Sequence, residues 1–128
     1  MYRPAAILAL ALALAAPARA ADARIIVQQS PLAGFQYHEG KALWDMMRTG
    51  DTLRLVREPH NPHDANAVRV EWRGEMLGYV PRRENGDVAR QMDRGAPVKA
   101  RIVKLKEARN PWQRVEFEVY VDLASAKP

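Results

Sequence analysis

The 128-residue chain contains no cysteine. That excludes a disulfide staple, a thiolate metal site, a cysteine nucleophile and a lipid-modified N-terminal cysteine. No unbroken apolar run exceeds the 12 residues at positions 5–16, whereas a membrane-spanning helix needs about 20. The chain has no G-x-S-x-G elbow and no Gly-rich phosphate loop, and its acids are scattered singly along predicted strands. Ser30 and Ser125 fall in terminal segments, away from any base. These absences leave no catalytic constellation, so the sequence predicts a binding protein and not an enzyme.

What is present begins with a leader. Arg3 opens it, the 12-residue Ala/Leu/Ile run follows, and Pro17-Ala18-Arg19-Ala20 ends in an A-x-A pattern. This is the layout of a cleavable signal peptide over residues 1–20, which predicts export to the periplasm or beyond, with a retained N-terminal anchor as the alternative. No twin-Arg pair is present, which favours general secretion. Removing the leader takes away Arg3 and Arg19, so the net charge falls from +5 to +3. Residues 21–128 then form one domain of ordinary size, with a cation excess too small to argue for nucleic acid by itself.

Along that domain, hydrophobic periodicity predicts strands over 23–29, 52–57, 67–72, 76–80, 97–107 and 115–121, with 35–38 also extended. Ala42, Leu43, Met46 and Met47 are spaced as a helix over 39–49, stopped by Gly50. A second helix is predicted over 82–94, with Val88, Ala89 and Met92 on one face and Gly95 as its stop. Arg73-Gly74 stands where a two-residue hairpin turn needs positive φ. Lys99 and Arg101 fall out of phase with Lys104 and Lys106 across Ile102-Val103, the mark of a β-bulge. Six short strands and two small helices predict a mainly β fold: a small, partly open antiparallel six-stranded barrel.

The most informative stretch is 57–82, REPHNPHDANAVRVEWRGEMLGYVPR. Asn61-Pro62 and Asp64 to Asn66 are turn formers, followed by the hairpin and then by Pro81-Arg82-Arg83. The string N-P-H-D-x-N-A-V-x-V over 61–70, then G-Y-V-P-R over 78–82, resembles the HIRAN domain; the run GFQYHEG over 34–40 resembles the segment that opens the same domain. The likeness covers residues 24–122. HIRAN modules occur at the N-terminus of certain SNF2-type helicases and as free-standing bacterial proteins.

The resemblance implies an OB-like barrel that binds single-stranded DNA at its free 3′ end. Aromatic and basic residues would grip the last bases while an acid receives the terminal hydroxyl. Carried over by motif, the residues are Gln36, Tyr37 and His38 from the opening segment, His63 and Asp64 from the loop, and Tyr79 and Arg82 at the strand end. Trp112 supplies a further aromatic face. Helicase-type members tend to carry Arg at the position of Gln36 and Tyr at those of His38 and His63, so this chain is closer to the free-standing members. Hydrolysis in the helicases belongs to a motor domain absent from this sequence.

Each residue also has a purely structural alternative. Asp64 can serve only its own turn, and Tyr79 and Trp112 can pack at a barrel edge. Lys99, Arg101, Lys104 and Lys106 can pair with Glu116 and Glu118 across strands. His60, His63 and Asp64 are ligand-type residues within five positions, the one arrangement open to zinc and to metal-dependent hydrolysis; without a helical His pair or cysteines, no cofactor is expected. The leader favours a second functional reading, an exported envelope interaction protein using the same barrel for a different ligand.

Overall fold

The computed structural model describes residues 23–123; the leader over 1–20 and Ser125 lie outside the described residues. Six strands form a single antiparallel sheet: β1 (Arg24–Pro31), β2 (Thr52–Arg57), β3 (Val68–Trp72), β4 (Glu75–Tyr79), β5 (Val98–Leu105) and β6 (Val115–Asp122). They lie in the order β1-β6-β5-β2-β3-β4. The two edges, β1 and β4, approach through an isolated bridge: Ala33 N donates to Tyr79 O at 3.0 Å and Tyr79 N to Ala33 O at 2.9 Å. One bridge is a partial closure, as the strand pattern predicts for a partly open barrel.

Gly78 is required at this seam, since a Cβ there would lie 2.1 Å from Ala33 O. The β3–β4 turn is as predicted: Arg73 at φ 47° and Gly74 at φ 83° give the paired positive φ of a tight hairpin. The β5 bulge also falls at the slip, with the β5–β6 register shifting between Ile102 and Lys104. Inward-facing Leu53, Val68, Leu77, Ile102, Val115 and Phe117 fill the interior. Val88 and Ala89 of α2 (Asn85–Asp93) join that core, with Met92 packed against it.

Three expectations need correction. Residues 35–38 are not extended: Phe35–Tyr37 is a 3₁₀ turn, because Gly34 at φ 77° reverses the chain after the bridge and tucks Phe35 into the core. The first helix is much shorter than 39–49, comprising α1 (Gly40–Leu43) and a 3₁₀ turn (Trp44–Met46). The tighter 3₁₀ repeat brings Trp44 and Met47 to the same side, so Met47 is buried while Ala42 and Met46 face outward. Finally, α2 begins at Asn85 and not at 82, since Pro81 to Glu84 forms a turn closed by Glu84 N to Pro81 O at 2.9 Å.

The central strand β6 has covered residues on both faces. Glu118 and Tyr120, on the side opposite Val115, Phe117 and Val119, are also buried. Arg101 pairs with Glu118, and the Arg24 and Arg101 guanidinium groups lie 5.0 and 5.9 Å from the Tyr120 ring centre. Among the described residues no helix is long and apolar enough to cross a membrane.

Candidate functional site

The Ala33–Tyr79 bridge that closes the barrel also places the 34–38 segment beside the end of β4. There the His38 and Tyr79 rings meet edge to face, 6.1 Å between centres and 65° between planes. Tyr37 projects from its turn with 79% of its surface exposed, and Gln36 is exposed beside it. An exposed tyrosine held on a short, tightly hydrogen-bonded turn is a flat apolar face offered to solvent, with little rotameric freedom to lose on stacking.

The 58–66 loop is attached to the same end through Glu58. Its Oε1 accepts from Tyr79 Oη at 2.8 Å and from Asn61 Nδ2 at 3.0 Å, while Oε2 accepts from Arg69 at 3.1 Å. Burial, and after it the hydrogen bond and negative charge of Glu58, push the Tyr79 phenol above its ordinary value, so it stays a neutral donor. Arg69 Nε lies 3.0 Å from Glu71, but the angle makes this a charge contact and not a hydrogen bond. Asn61 Oδ1 in turn accepts from His63 N at 2.9 Å, leaving the His63 side chain exposed.

Asp64 has two structural jobs. Oδ1 accepts from Asn66 N at 2.9 Å, the Asx turn expected of it, and Oδ2 accepts from Asn85 Nδ2 at 2.7 Å. The second bond ties the loop to the first residue of α2, and Asn85 is almost fully buried there. A carboxylate offers about four lone-pair sites, so these two bonds leave acceptor capacity on each oxygen.

Arg82 and Arg83 follow Pro81 on the exposed turn before α2, with no ion-pair partner among the described residues. They share an open groove with Pro31, Pro81, Glu84 and Trp112. The groove floor is held from below: buried Ser30 donates a short hydrogen bond to the Glu84 carboxylate, and Gln28 Nε2 donates to Glu84 O at 3.0 Å. Trp112, on a 3₁₀ turn capped by Asn110, is 47% exposed.

The structure therefore joins Tyr37, His38, Tyr79 and the 61–64 loop on one side, and Arg82 with Trp112 on the other, the two sides linked by Tyr79 to Arg82 of a single chain segment. Cross-strand pairing accounts for Arg101, bound to Glu118, and for Lys99, 3.0 Å from Asp122. It does not account for Lys104, which stands opposite Glu116 in register with no ion pair among the described residues, nor for Lys106 beyond the strand. Among the described residues no three His, Asp or Glu side chains converge as a metal-holding group, and His60 and His63 are both exposed on the loop. Sequence reasoning missed Glu58 and the Asn85–Asp64 bond, since only long-range partners mark them.

The partly closed barrel thus presents an exposed aromatic cluster around Tyr37, His38 and Tyr79 and a cationic groove beside Trp112. The HIRAN domain profile matches residues 25–124, and the chain belongs to that family. Two solved structures share the fold. One is a protein from Lactobacillus plantarum, 26% identical, with a TM-score of 0.67 over 77% of this chain and 95% of that one. The other is the HIRAN domain of human HLTF, 20% identical, with a TM-score of 0.58 over 77% of this chain and 80% of that one. No curated protein matches the sequence.

Proposed function

We propose that this protein is a nucleic-acid-binding module that grips single-stranded DNA at a free 3′ end and has no catalytic activity of its own. Two groupings on a HIRAN barrel support this reading: the exposed Tyr37 face with the His38–Tyr79 ring pair, and Arg82 with Trp112 along an open groove, the two joined by the chain from Tyr79 to Arg82. Bases stack on the aromatic faces, worth about 1–3 kcal/mol each, and Arg82 meets a phosphate. Gln36 and His63 flank the strand as hydrogen-bonding groups. Asp64 supplies end selection: its spare lone pairs accept a terminal hydroxyl, while its charge repels a phosphate that continues the chain. No zinc or other cofactor takes part.

Titration of labelled oligonucleotides ending in 3′-hydroxyl or 3′-phosphate, at low and moderate salt, tests the proposal. It requires binding that weakens with salt and favours the hydroxyl end. Absence of binding at both salts, or equal binding by an Asp64→Ala/Arg82→Ala variant, rejects it.

One sequence feature favours a second reading. The leader pattern over 1–20 points to export, and ordinary DNA transactions occur in the cytoplasm. On that reading the protein is a periplasmic or secreted envelope protein, and the same barrel end takes a non-nucleic-acid partner. Fractionation of cells expressing the full chain decides the compartment, and pull-down from an envelope fraction decides between a nucleic-acid and a protein or polysaccharide partner.

A further inference from the structure

Trp112 stands between two grooves. On one side lie Pro31, Pro81, Arg82, Arg83 and Glu84; on the other lie Lys104, Lys106, Gln113 and Glu116. The lysine groove exists because of the β5 bulge: the register slip after Ile102 turns Lys104 outward, and Lys106 N bonds to Arg114 O at 2.9 Å where the strand leaves the sheet. Both lysines are exposed, and neither has an ion-pair partner among the described residues. Glu116 lines the same groove but pairs with neither, which leaves the groove one positive charge in excess. In the first groove the Glu84 carboxylate accepts from Ser30, and Arg82 and Arg83 have no ion-pair partner among the described residues.

Cations with no ion pair among the described residues, on both flanks of an exposed indole, suit a passing sugar-phosphate chain, which needs charges to track the backbone and a ring against which a base stacks.

We infer that the Lys104–Lys106 groove is a second nucleic-acid subsite, which receives the phosphates of the strand after it has passed Trp112. The inference rests on the proposed function and extends it from an end-binding pocket to a path. The lysines take phosphates in a sequence-independent way, and Trp112 separates the end-bound nucleotides from the trailing ones.

The experiment compares the protein with a Lys104→Gln/Lys106→Gln variant, using single-stranded DNA of about 3 and about 12 nucleotides, the longer lying within the ~4–16 nucleotides typical of one OB fold. The short strand, confined to the Tyr79–Arg82–Trp112 end, binds both proteins equally. The long strand binds the variant on the order of tenfold more weakly, and its salt slope falls by about 1.4, since each single-strand phosphate contact contributes about 0.7. Equal long-strand affinity and an unchanged slope overturn the second subsite while leaving end binding intact. Failure of the unaltered protein to bind either strand overturns both readings, a result distinct from the first.

Discussion

The Tyr79 hydroxyl donates a 2.8 Å hydrogen bond to Glu58, 21 residues earlier in the chain, and the same carboxylate also holds Asn61 and Arg69. One acid thus sets the orientation of the ring that His38 packs against and the start of the loop that carries Asp64. Glu58→Ala leaves three half-buried donors without their acceptor, at a cost of about 1–3 kcal/mol for such a group, read as a lower denaturation midpoint. Glu58→Gln keeps an acceptor for Tyr79 and loses less. Tyr79→Phe retains the ring and with it most of the oligonucleotide affinity, whereas Tyr79→Ala loses about 1–3 kcal/mol of binding. Equal affinities for the two Tyr79 variants would show that stacking is not the ring's role.

Asp64 and Asn85 are a coupled pair at 2.7 Å. Asn85→Ala leaves one oxygen of Asp64 unpartnered and removes a buried amide at the start of α2, so it destabilises by about 1–3 kcal/mol. Asp64→Asn keeps the Asx turn but removes the charge. Its expected effect is loss of discrimination between 3′-hydroxyl and 3′-phosphate ends, measured as the ratio of the two affinities, with total affinity for the phosphate end rising.

Arg82 has no competing partner among the described residues, so its removal is expected to cost binding with little cost in stability. Arg82→Gln reduces the salt slope of single-strand binding by about 0.7, the share of one phosphate contact, with an unchanged thermal midpoint. A shifted midpoint with an unchanged slope would make Arg82 structural.

Gly78→Ala tests the barrel seam. The added Cβ would meet Ala33 O, part of the backbone bridge itself, at 2.1 Å. The edges must separate, and overpacking of this kind costs typically ~1–3 kcal/mol. Because the same seam carries the 34–38 segment, oligonucleotide binding falls with stability. Hydrogen exchange at Tyr79 N and Ala33 N reads the opening directly.

Asp93 gives an acid-side pH dependence. Arg57 grips it through Nε at 2.9 Å and through a second nitrogen at 3.2 Å. That hydrogen bonding, with the charge of Arg57, outweighs desolvation and holds the carboxyl below its ordinary value. As pH falls, the unfolded chain takes up the proton first. The contribution is therefore full above the ordinary value of about 4 and is lost as pH falls through the lower folded value. Asp93→Asn flattens this part of the stability profile, measured by denaturant midpoints across acid pH.

Strand periods, the Arg73-Gly74 turn and the β5 bulge were all legible because each is decided within a few residues: alternation sets which face is buried, positive φ selects the turn, and a slip of one residue inverts the phase. The helices were less legible. Their apolar spacing over 39–49 suits an α-helix, but burial of Phe35 and Met47 against the barrel wins over propensity and tightens the segment into 3₁₀ turns. Gly40 fits that packing, since a Cβ there would meet the Phe35 ring at 2.2 Å.

The sequence by itself determined the family, the strand set and the residue types that motif matching carries over: Gln36, Tyr37, His38, His63, Asp64, Tyr79, Arg82 and Trp112. Only the tertiary structure decided what each can touch. Closing the sheet at Ala33 and Tyr79 sets His38 against Tyr79, the Tyr79 hydroxyl on Glu58, Asp64 on Asn85, and Trp112 between the Arg82–Arg83 and Lys104–Lys106 grooves. Such contacts join positions tens of residues apart, and no local periodicity records them, because they depend on how far strands twist and where the barrel seam falls.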